Sequence, residues 1–596
     1  MSVSLGRRLP HARGRGLSGI GRRASSARVR GTVAVGSAAL VIGVLAWPML
    51  LTSSGLGGDW EHHLWYVWQQ SLAIRANGSP SLFLSTSYSV LYPQYAFYGG
   101  TINVIAGALS LALGGSPIAA YVLTYVLAFA AAYGGWCWLA RAAGLGRWPA
   151  QAPALLFVTS ACYLTLVYGQ GDWAEFIAVS MIPLIVAAGA AVLRAEQLRL
   201  LPAVVLAAGS VVFFGSHDLT VLWASTIAIA VTGALLVCVP QVRRMVRPGR
   251  VLRVAALVIP GGLANAWFLL PTIAYASHTK IGSSYGAARE TLLYTMHLVS
   301  FDHLFTLTRA STPAGVPDYP LSLPTLAIAW VLVSIALLLA LACRGAWMRI
   351  LAICAAATAA VTVLMTHSGL LLALPRPYTI LQFSYRLEGY VLTGVTAAVL
   401  AVLVIARSGP RRLRLWSWTL LPVLVLSAIG AVQQVDAYPH TPLPRADALT
   451  GLGEVFAETY NDYTYAPLSP VPDRGLPRLA IAPSEIHDDR VSVALRARPG
   501  QLVDTNIGGG PDLLHITGAR VVGRDSRYQL VLALGSGASV ASAHPRTQLA
   551  SMRVSISPAQ SLPVVLGRLL TLLGAVVLAV ELAIVSARAL LRARSS

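Results

Sequence analysis

The sequence predicts an all-α polytopic membrane bundle of about twelve transmembrane helices, with a small extracytoplasmic β-rich domain held between its last two spans. Three observations predict it. The 596 residues are 56% hydrophobic and only 11% charged, and the mean hydropathy is +0.66, whereas a soluble chain carries about 25% charged residues. Apolar runs recur along almost the whole chain and are separated by short basic loops. One long segment, 434–568, breaks that pattern with Pro, Asp and Tyr followed by strand-type alternation.

The basic tail 1–31 holds eight arginines and no acid. An apolar run over 32–51 follows. It is long for the core of a signal peptide and ends in Trp47-Pro48 without a small-residue cleavage site. It is therefore the expected first span. Further runs lie near 118–140, 150–167, 174–193, 200–215, 219–239, 254–274, 322–342, 350–366, 389–406, 416–433 and 569–587. Alternating these spans places Arg141–Arg147, Arg194–Arg199, Arg243–Arg253, Arg344–Arg349, Arg407–Arg414 and the C-terminal tail inside. The N-terminal tail and these inner segments hold 26 of the 44 Lys and Arg. Basic short loops mark the cytoplasmic side, so both termini are expected in the cytoplasm of a multi-pass cell-membrane protein.

The expected division is a bundle over 32–433, with outer loops 53–117, 168–173, 275–321 and 367–388. The β-rich domain covers 434–568, with strands in RVSVALRA (490–497), ARVVG (519–523), RYQLVLAL (527–534) and MRVSIS (552–557). A final span and basic tail occupy 569–596. The run 101–114 is short for a crossing and would upset the alternation, so it is assigned to the first outer loop as a re-entrant or interfacial helix.

Charge distribution excludes a nucleic-acid partner despite the net +21. The cations are nearly all Arg at the ends of apolar runs, not a stripe on a soluble face. Cys137, Cys162, Cys238, Cys343 and Cys354 lie in or beside apolar runs without metal or redox spacing, which leaves them structural.

Polar chemistry gathers in the outer loops. The first opens GGDWEHHLWYVWQQ, placing Asp59, Glu61, His62 and His63 just beyond the first span among an interfacial belt of Trp60, Trp65, Tyr66 and Trp68. An amphipathic surface helix explains that pattern; an acid at the mouth of a span also marks a functional site. The second, YGQGDWAEF, brings Asp172 and Glu175, where helix capping is the simpler role. His217-Asp218 form the third. The fourth contains His278, Lys280, Arg289, Glu290, His297, Asp302 and His303, and the fifth Arg376, Arg386 and Glu388. Arg386 precedes a helix entering the membrane and suits a lipid phosphate gripped bidentately, or a headgroup reached by snorkelling.

An acid in a long first outer loop, with a second acid in the next, resembles the layout of the C-superfamily of polytopic glycosyltransferases (GT-C). LYPQYAFYGG, YGQGDWAEFIAVSMIPL, GSHDLT, NAWFLLPTIAYA and LQFSYR are also similar to a bacterial membrane-protein family labelled 6-pyruvoyl-tetrahydropterin-synthase-related, although no soluble pterin-enzyme domain is present. The likeness spans about residues 30–410. It departs at Gln170-Gly171, where an Arg-Gly pair is common, and at Ser384-Tyr385, where Pro-Trp is common.

The resemblance implies an inverting, single-displacement glycosyl transfer from a polyprenyl-phosphate sugar to a glycan or lipid acceptor among the membrane lipids. It implies Asp59 as the base, with Asp172 or Glu175 orienting the acceptor or His62 and His63. Arg386, with His62 or Lys280, would stabilise the leaving phosphate, while Glu61, His63 and His217 would contact substrate. No cofactor is expected, because the donor already carries an anionic leaving group; Asp59 with Asp172 is the pair that would hold a divalent ion. Two other readings compete. A transporter or flippase would need a polar pathway at mid-membrane, and Glu581 is the one acid well inside a run. A non-catalytic envelope scaffold would lack any shared cavity for the outer acids.

Overall fold

The computed structural model describes residues 35–49, 59–280 except 87, 323–436 except 380 and 382, 463–535 except 473 and 474, and 549–595. The expectations for the N-terminal tail, for Arg289, Glu290, His297, Asp302 and His303, and for the start of the 434–568 segment lie outside these residues.

Every apolar run in the described residues is helical, but not every run is one straight crossing. Seven helices are long and apolar enough to span a membrane. They are Pro117–Ala142 (α4), Trp173–Arg194 (α7), Asp218–Cys238 (α9), Ala346–Thr366 (α13), Ser384–Ser408 (whose α-helical part, Glu388–Ser408, is α14), Arg411–Gly430 and Leu562–Arg592. Two further runs are bent pairs: Gln151–Val158 (α5) with Ala161–Gly169 (α6) turn by 54°, and Pro248–Leu263 (α10) with Ala266–His278 turn by 67° (α11 is its α-helical part, Ala266–Tyr275). Counting each pair as one span gives nine. The expectation of twelve is thus not met by uninterrupted spans: the runs near 32–51, 200–215 and 322–342 form the shorter helices Val35–Met49 (α1), Leu200–Phe214 (α8) and Thr325–Ala340 (α12).

The breaks have local causes. At the second, Asn265 replaces a helical turn by donating its side-chain amide to Val211 and Gly261 carbonyls, at 3.1 and 2.8 Å. At the first, α6 ends in a π-helical turn, Thr165–Gly169, and the next residues form the tight lead into α7. Gly171 there has φ 66, which a side chain would strain.

The bundle is organised around α7 and α14. The first is packed along α4 and α8, the second along α13. In the apolar stretch of Ser384–Ser408 78% of the residues are buried and in that of Asp218–Cys238 11%, so α14 is a core helix and α9 a peripheral one. The first outer loop supplies Trp60–Asn77 (α2) and Gly100–Ala112 (α3), which pack on each other and on α4. The 101–114 run is therefore a helix held against other helices.

The strand-rich domain comprises Arg478–Leu479 (β1), Val491–Ala497 (β2), Leu502–Thr505 (β3), Leu514–Thr517 (β4), Ala519–Arg524 (β5), Leu530–Leu534 (β6) and Ala550–Pro558 (β7). They form two sheets, ordered β1-β3-β6-β5 and β2-β7-β4, antiparallel except for β1 against β3. Strands β2 and β6 fall within two of the expected strings, and β5 and β7 cover the other two and run past their ends. The five residues of β6 are all buried, as a central strand covered on both faces requires.

This domain is not a free appendage. Leu82, Phe83, Val90 and Leu91 of the first outer loop share one apolar cluster with Val503, Leu532, Val554 and Ile556. Val90 also bridges to Ile507, Leu84 to Tyr92, and Thr279 to Tyr465. Asp489 accepts hydrogen bonds from Ser81 Oγ and from the Leu82 N–H, the latter at 3.3 Å.

Candidate active site

Four helix beginnings meet at one end of the bundle. Asp172 caps α7, its Oδ1 accepting the Glu175 N–H at 3.2 Å. His217 precedes α9, and Arg386 lies in the 3-10 turn Ser384–Leu387 that leads into α14. The fourth is α2, led by Asp59, whose backbone N–H donates to the Gln170 carbonyl at 2.7 Å. That bond ties the first outer loop to the turn carrying Asp172. Helix N-termini converge here, so their dipoles favour negative charge in the same place.

Arg386 is the hub. Its guanidinium lies 3.4 Å from Asp172 Oδ2 and 3.6 Å from Glu175 Oε2. It also donates to His217 Nε2 at 3.0 Å. His217 Nδ1 lies 2.8 Å from Thr220 Oγ1 and 3.2 Å from the Thr220 backbone nitrogen, so the Thr220 N–H and the guanidinium compete for the one free ring nitrogen of a neutral imidazole. The side chains of Arg386, Asp172 and Glu175 are 14%, 7% and 3% exposed, so the ion pairs are shielded from water. Glu388 is also buried, and its Oε1 has no hydrogen-bond partner. Acids thus exceed cations among the described residues here.

Tyr98 joins this cluster to α2. Its hydroxyl donates to Asp172 Oδ1 at 3.4 Å. Its ring stacks on His63 at 5.7 Å and meets His217 edge-on at 5.5 Å. Gly99 follows with φ 56, and a Cβ there would come within 2.9 Å of the Ser216 carbonyl. The glycine is what lets the Tyr98 turn lie against the start of α9.

Asp59 stands apart, with 57% of its side chain exposed and Oδ1 3.9 Å from His62 Nδ1. Partial burial, with the field of Asp172, pushes its carboxyl up to about 6, while Arg386 pulls the other way. Burial and His63 together push His62 down to about 3. Burial also pushes His63 down to about 4, with Asp172 opposing the shift and Arg386 adding to it. Both rings are neutral at pH 7.

Of the residues singled out from sequence, Asp59, His62, His63, Asp172, Glu175, His217 and Arg386 are brought together. Glu61 is half-buried on α2, its carboxyl raised by burial, and makes no described contact with the cluster. Lys280, expected beside the leaving phosphate, is instead carried to the strand-rich domain, where its Nζ lies 4.6 Å from the centre of the Tyr528 ring and its backbone N–H donates to the Thr464 carbonyl. Tyr98 was missed from sequence, although its place just before Gly99-Gly100 was a signal of a close approach.

Asp172, Glu175 and His217 present ligand atoms within 4.8 Å of one another, a set able in principle to hold a cation. Arg386 already faces all three, so a divalent ion between them would have to displace the guanidinium. Asp59, the other acid considered for a metal pair with Asp172, is not a member of this set.

Fold and site together define a multi-pass membrane protein with a buried acid–arginine cluster at one end of its bundle and a solvent-open acid beside it. No family model matches the chain, and no curated protein matches it. Among solved structures, the mycobacterial arabinofuranosyltransferase AftD is similar at 16% identity and a TM-score of 0.44, over 75% of this chain and 30% of that one. ArnT from Cupriavidus metallidurans, bound to undecaprenyl phosphate, is similar at 14% identity and a TM-score of 0.26, over 86% of this chain and 99% of that one. The chain thus spans under a third of AftD's length. At these values neither likeness carries a functional argument, which rests on the site.

Proposed function

We propose that the chain is a membrane glycosyltransferase that moves a sugar from a polyprenyl-phosphate donor to a hydroxyl of a cell-envelope glycan or lipid, on the extracytoplasmic face. The observation that carries this reading is the pairing of an open carboxylate, Asp59, with a shielded cation, Arg386, linked through Asp172. Transfer from a lipid phosphate needs both: a base where the acceptor enters, and a fixed positive charge where the phosphate leaves.

In the proposed step the acceptor oxygen attacks the anomeric carbon and gives its proton to Asp59. The bond from that carbon to the phosphate oxygen breaks, and the lipid phosphate leaves with the electron pair. One displacement inverts the anomeric centre. Arg386 keeps N–H donors for the departing oxygens while Asp172 and Glu175 hold it in place. His217 fixes the guanidinium from the other side. His63 and Tyr98 form the wall between base and cation, and His62 offers a neutral hydrogen bond to a sugar or acceptor hydroxyl. The leaving group is anionic from the start, so this chemistry calls for no metal.

A transporter has one observation in its favour, the two bent helix pairs. The buried acids nevertheless all sit at helix starts, Asp172 as the cap of α7 and Glu175 and Glu388 in the first turns of α7 and α14, not at mid-helix. The test is transfer itself. The purified protein, given a panel of radiolabelled polyprenyl-phosphate sugars and envelope extract as acceptor, is expected to release free polyprenyl phosphate with one of them. Asp59→Asn should abolish that release in a protein that still folds. Full release by that variant would refute the assignment of the base.

A further inference from the structure

A second feature begins one helical turn from the acid cluster, at Tyr390, and extends away from it toward the basic end of the bundle. Helices α4, α7, α9, α13 and α14 leave a cavity of about 330 Å³ between them. It begins beneath Tyr390, whose hydroxyl donates to the Thr220 carbonyl, and runs along the helices to the basic end of the bundle. The space exists because the facing positions are small: Ala224 and Ala228 on α9, Ala357 on α13, and Gly394 and Ala397 on α14. Ala228 is exposed, so the cavity opens sideways past the peripheral helix α9.

Its walls are almost wholly apolar, and such a space does not hold water well, since a water needs two to four polar partners. Left empty, its lining would lose dispersion contacts on one side. In a bilayer the occupant is therefore a hydrocarbon chain. Its far end says which lipid. Arg194, at the C-terminus of α7, lines the cavity and is the only charged residue that does so among the described residues. One of its N–H groups donates to the Ala142 carbonyl at 3.3 Å, which leaves other donors of the five on a guanidinium. Arg349, next in sequence to the lining residue Ile350, donates to the Cys238 carbonyl at 2.9 Å. Val242, between its sequence neighbours Pro240–Met245 that include Arg243 and Arg244, closes that end.

We propose that this cavity is a binding site for an anionic phospholipid of the leaflet on the basic side, its phosphate at Arg194 and one acyl chain running between α9 and α13 toward Tyr390. The charge is at the correct end for that lipid. A carrier whose phosphate sat at Arg386 would enter from the opposite end. The proposal stands independently of the transfer reaction.

The test uses the full-length protein in nanodiscs containing either phosphatidylglycerol or phosphatidylcholine with a photoactivatable diazirine in one acyl chain. After illumination, modified peptides are mapped by mass spectrometry. Adducts are expected within 218–238 and 346–366, with phosphatidylglycerol favoured by about fivefold, the effect of roughly one cation at an anionic membrane surface. Arg194→Gln should bring the two lipids to parity. Ala228→Trp should remove these adducts with either lipid while leaving those on the exposed face of Leu562–Arg592. Equal labelling by the two lipids in the unaltered protein would overturn the proposal, and needs no variant to fold. So would adducts spread evenly over the bilayer-facing helices, or their displacement by polyprenyl phosphate, which would make the cavity the carrier's.

Discussion

The two halves of the site differ in how they are held. The Arg386 half is locked: two carboxylates, an imidazole and a tyrosine surround one guanidinium with little water contact. The Asp59 half is open, with a carboxylate in a mouth that keeps over half its surface exposed. The contrast separates two demands. A fixed charge is most effective where water cannot screen it. A base has to meet an incoming hydroxyl and then release a proton, and both need access. On the proposed reading the locked half serves the fold as well as the chemistry, and the open half serves the chemistry.

The most drastic way to break that contrast is to remove the shared cation. Arg386→Gln leaves Asp172 and Glu175 as buried carboxylates without compensation, a change that typically destabilises by about 3–5 kcal/mol. We expect a clear fall in the thermal midpoint of the detergent-solubilised protein, together with loss of transfer. Arg386→Lys should restore part of the stability but not the fork of donors that bridges Asp172 and His217. An unchanged midpoint for the Gln variant would mean that the cluster does not stabilise the fold.

Asp59→Asn should do the reverse. An exposed, near-isosteric change away from the core shifts stability by only about 0.5 kcal/mol or less, whereas loss of a general base lowers turnover by roughly 10²–10⁴-fold. Melting curves and transfer rates on the same preparations decide it: a variant that is both stable and active would remove Asp59 from the mechanism.

The pH profile sharpens the same point with a smaller effect. Asp59 must be ionised to accept a proton, and burial and Asp172 raise its carboxyl to about 6. Transfer should therefore rise as pH increases through about 6 and then level off, with the loss lying on the acid side. An unperturbed aspartate would place that limb near about 4. A limb at that lower value would show that solvent at the open mouth cancels the field of Asp172.

The contrast also explains what could be read from sequence. Individual outer acids were legible because a charged residue stands out against apolar neighbours, as Asp59, Asp172 and Arg386 do. Their convergence was not: Arg386 and His217 are 169 residues apart, and nothing local encodes that contact. Tyr98 was hidden among many tyrosines of an interfacial loop. Hydropathy marked the runs near 150–167 and 254–274 but not their bends, because a break made by Asn265 or a π-turn leaves average hydrophobicity almost unchanged. The short strands β1, β3 and β4 carry too few alternations to register. The shared core of the first outer loop and the strand-rich domain escaped notice because Leu82, Phe83, Val90 and Leu91 resemble loop residues until β6 and β7 pack on them.

Lys280 offers the mildest test of the division. Sequence placed it beside the leaving phosphate; the structure sets its ammonium 4.6 Å from the Tyr528 ring centre, with Arg524 3.9 Å from the same ring. A cation–π contact contributes about 0.5–1 kcal/mol when solvated and more when desolvated, and at this half-buried ring the neighbouring arginine stays when the lysine is removed. Lys280→Ala should lower the thermal midpoint only slightly and leave transfer within about twofold, since its ammonium faces the Tyr528 ring of the strand-rich domain. A larger loss of transfer at unchanged stability, deepening at low salt, would return Lys280 to the phosphate side and show that the locked half extends further than Arg386.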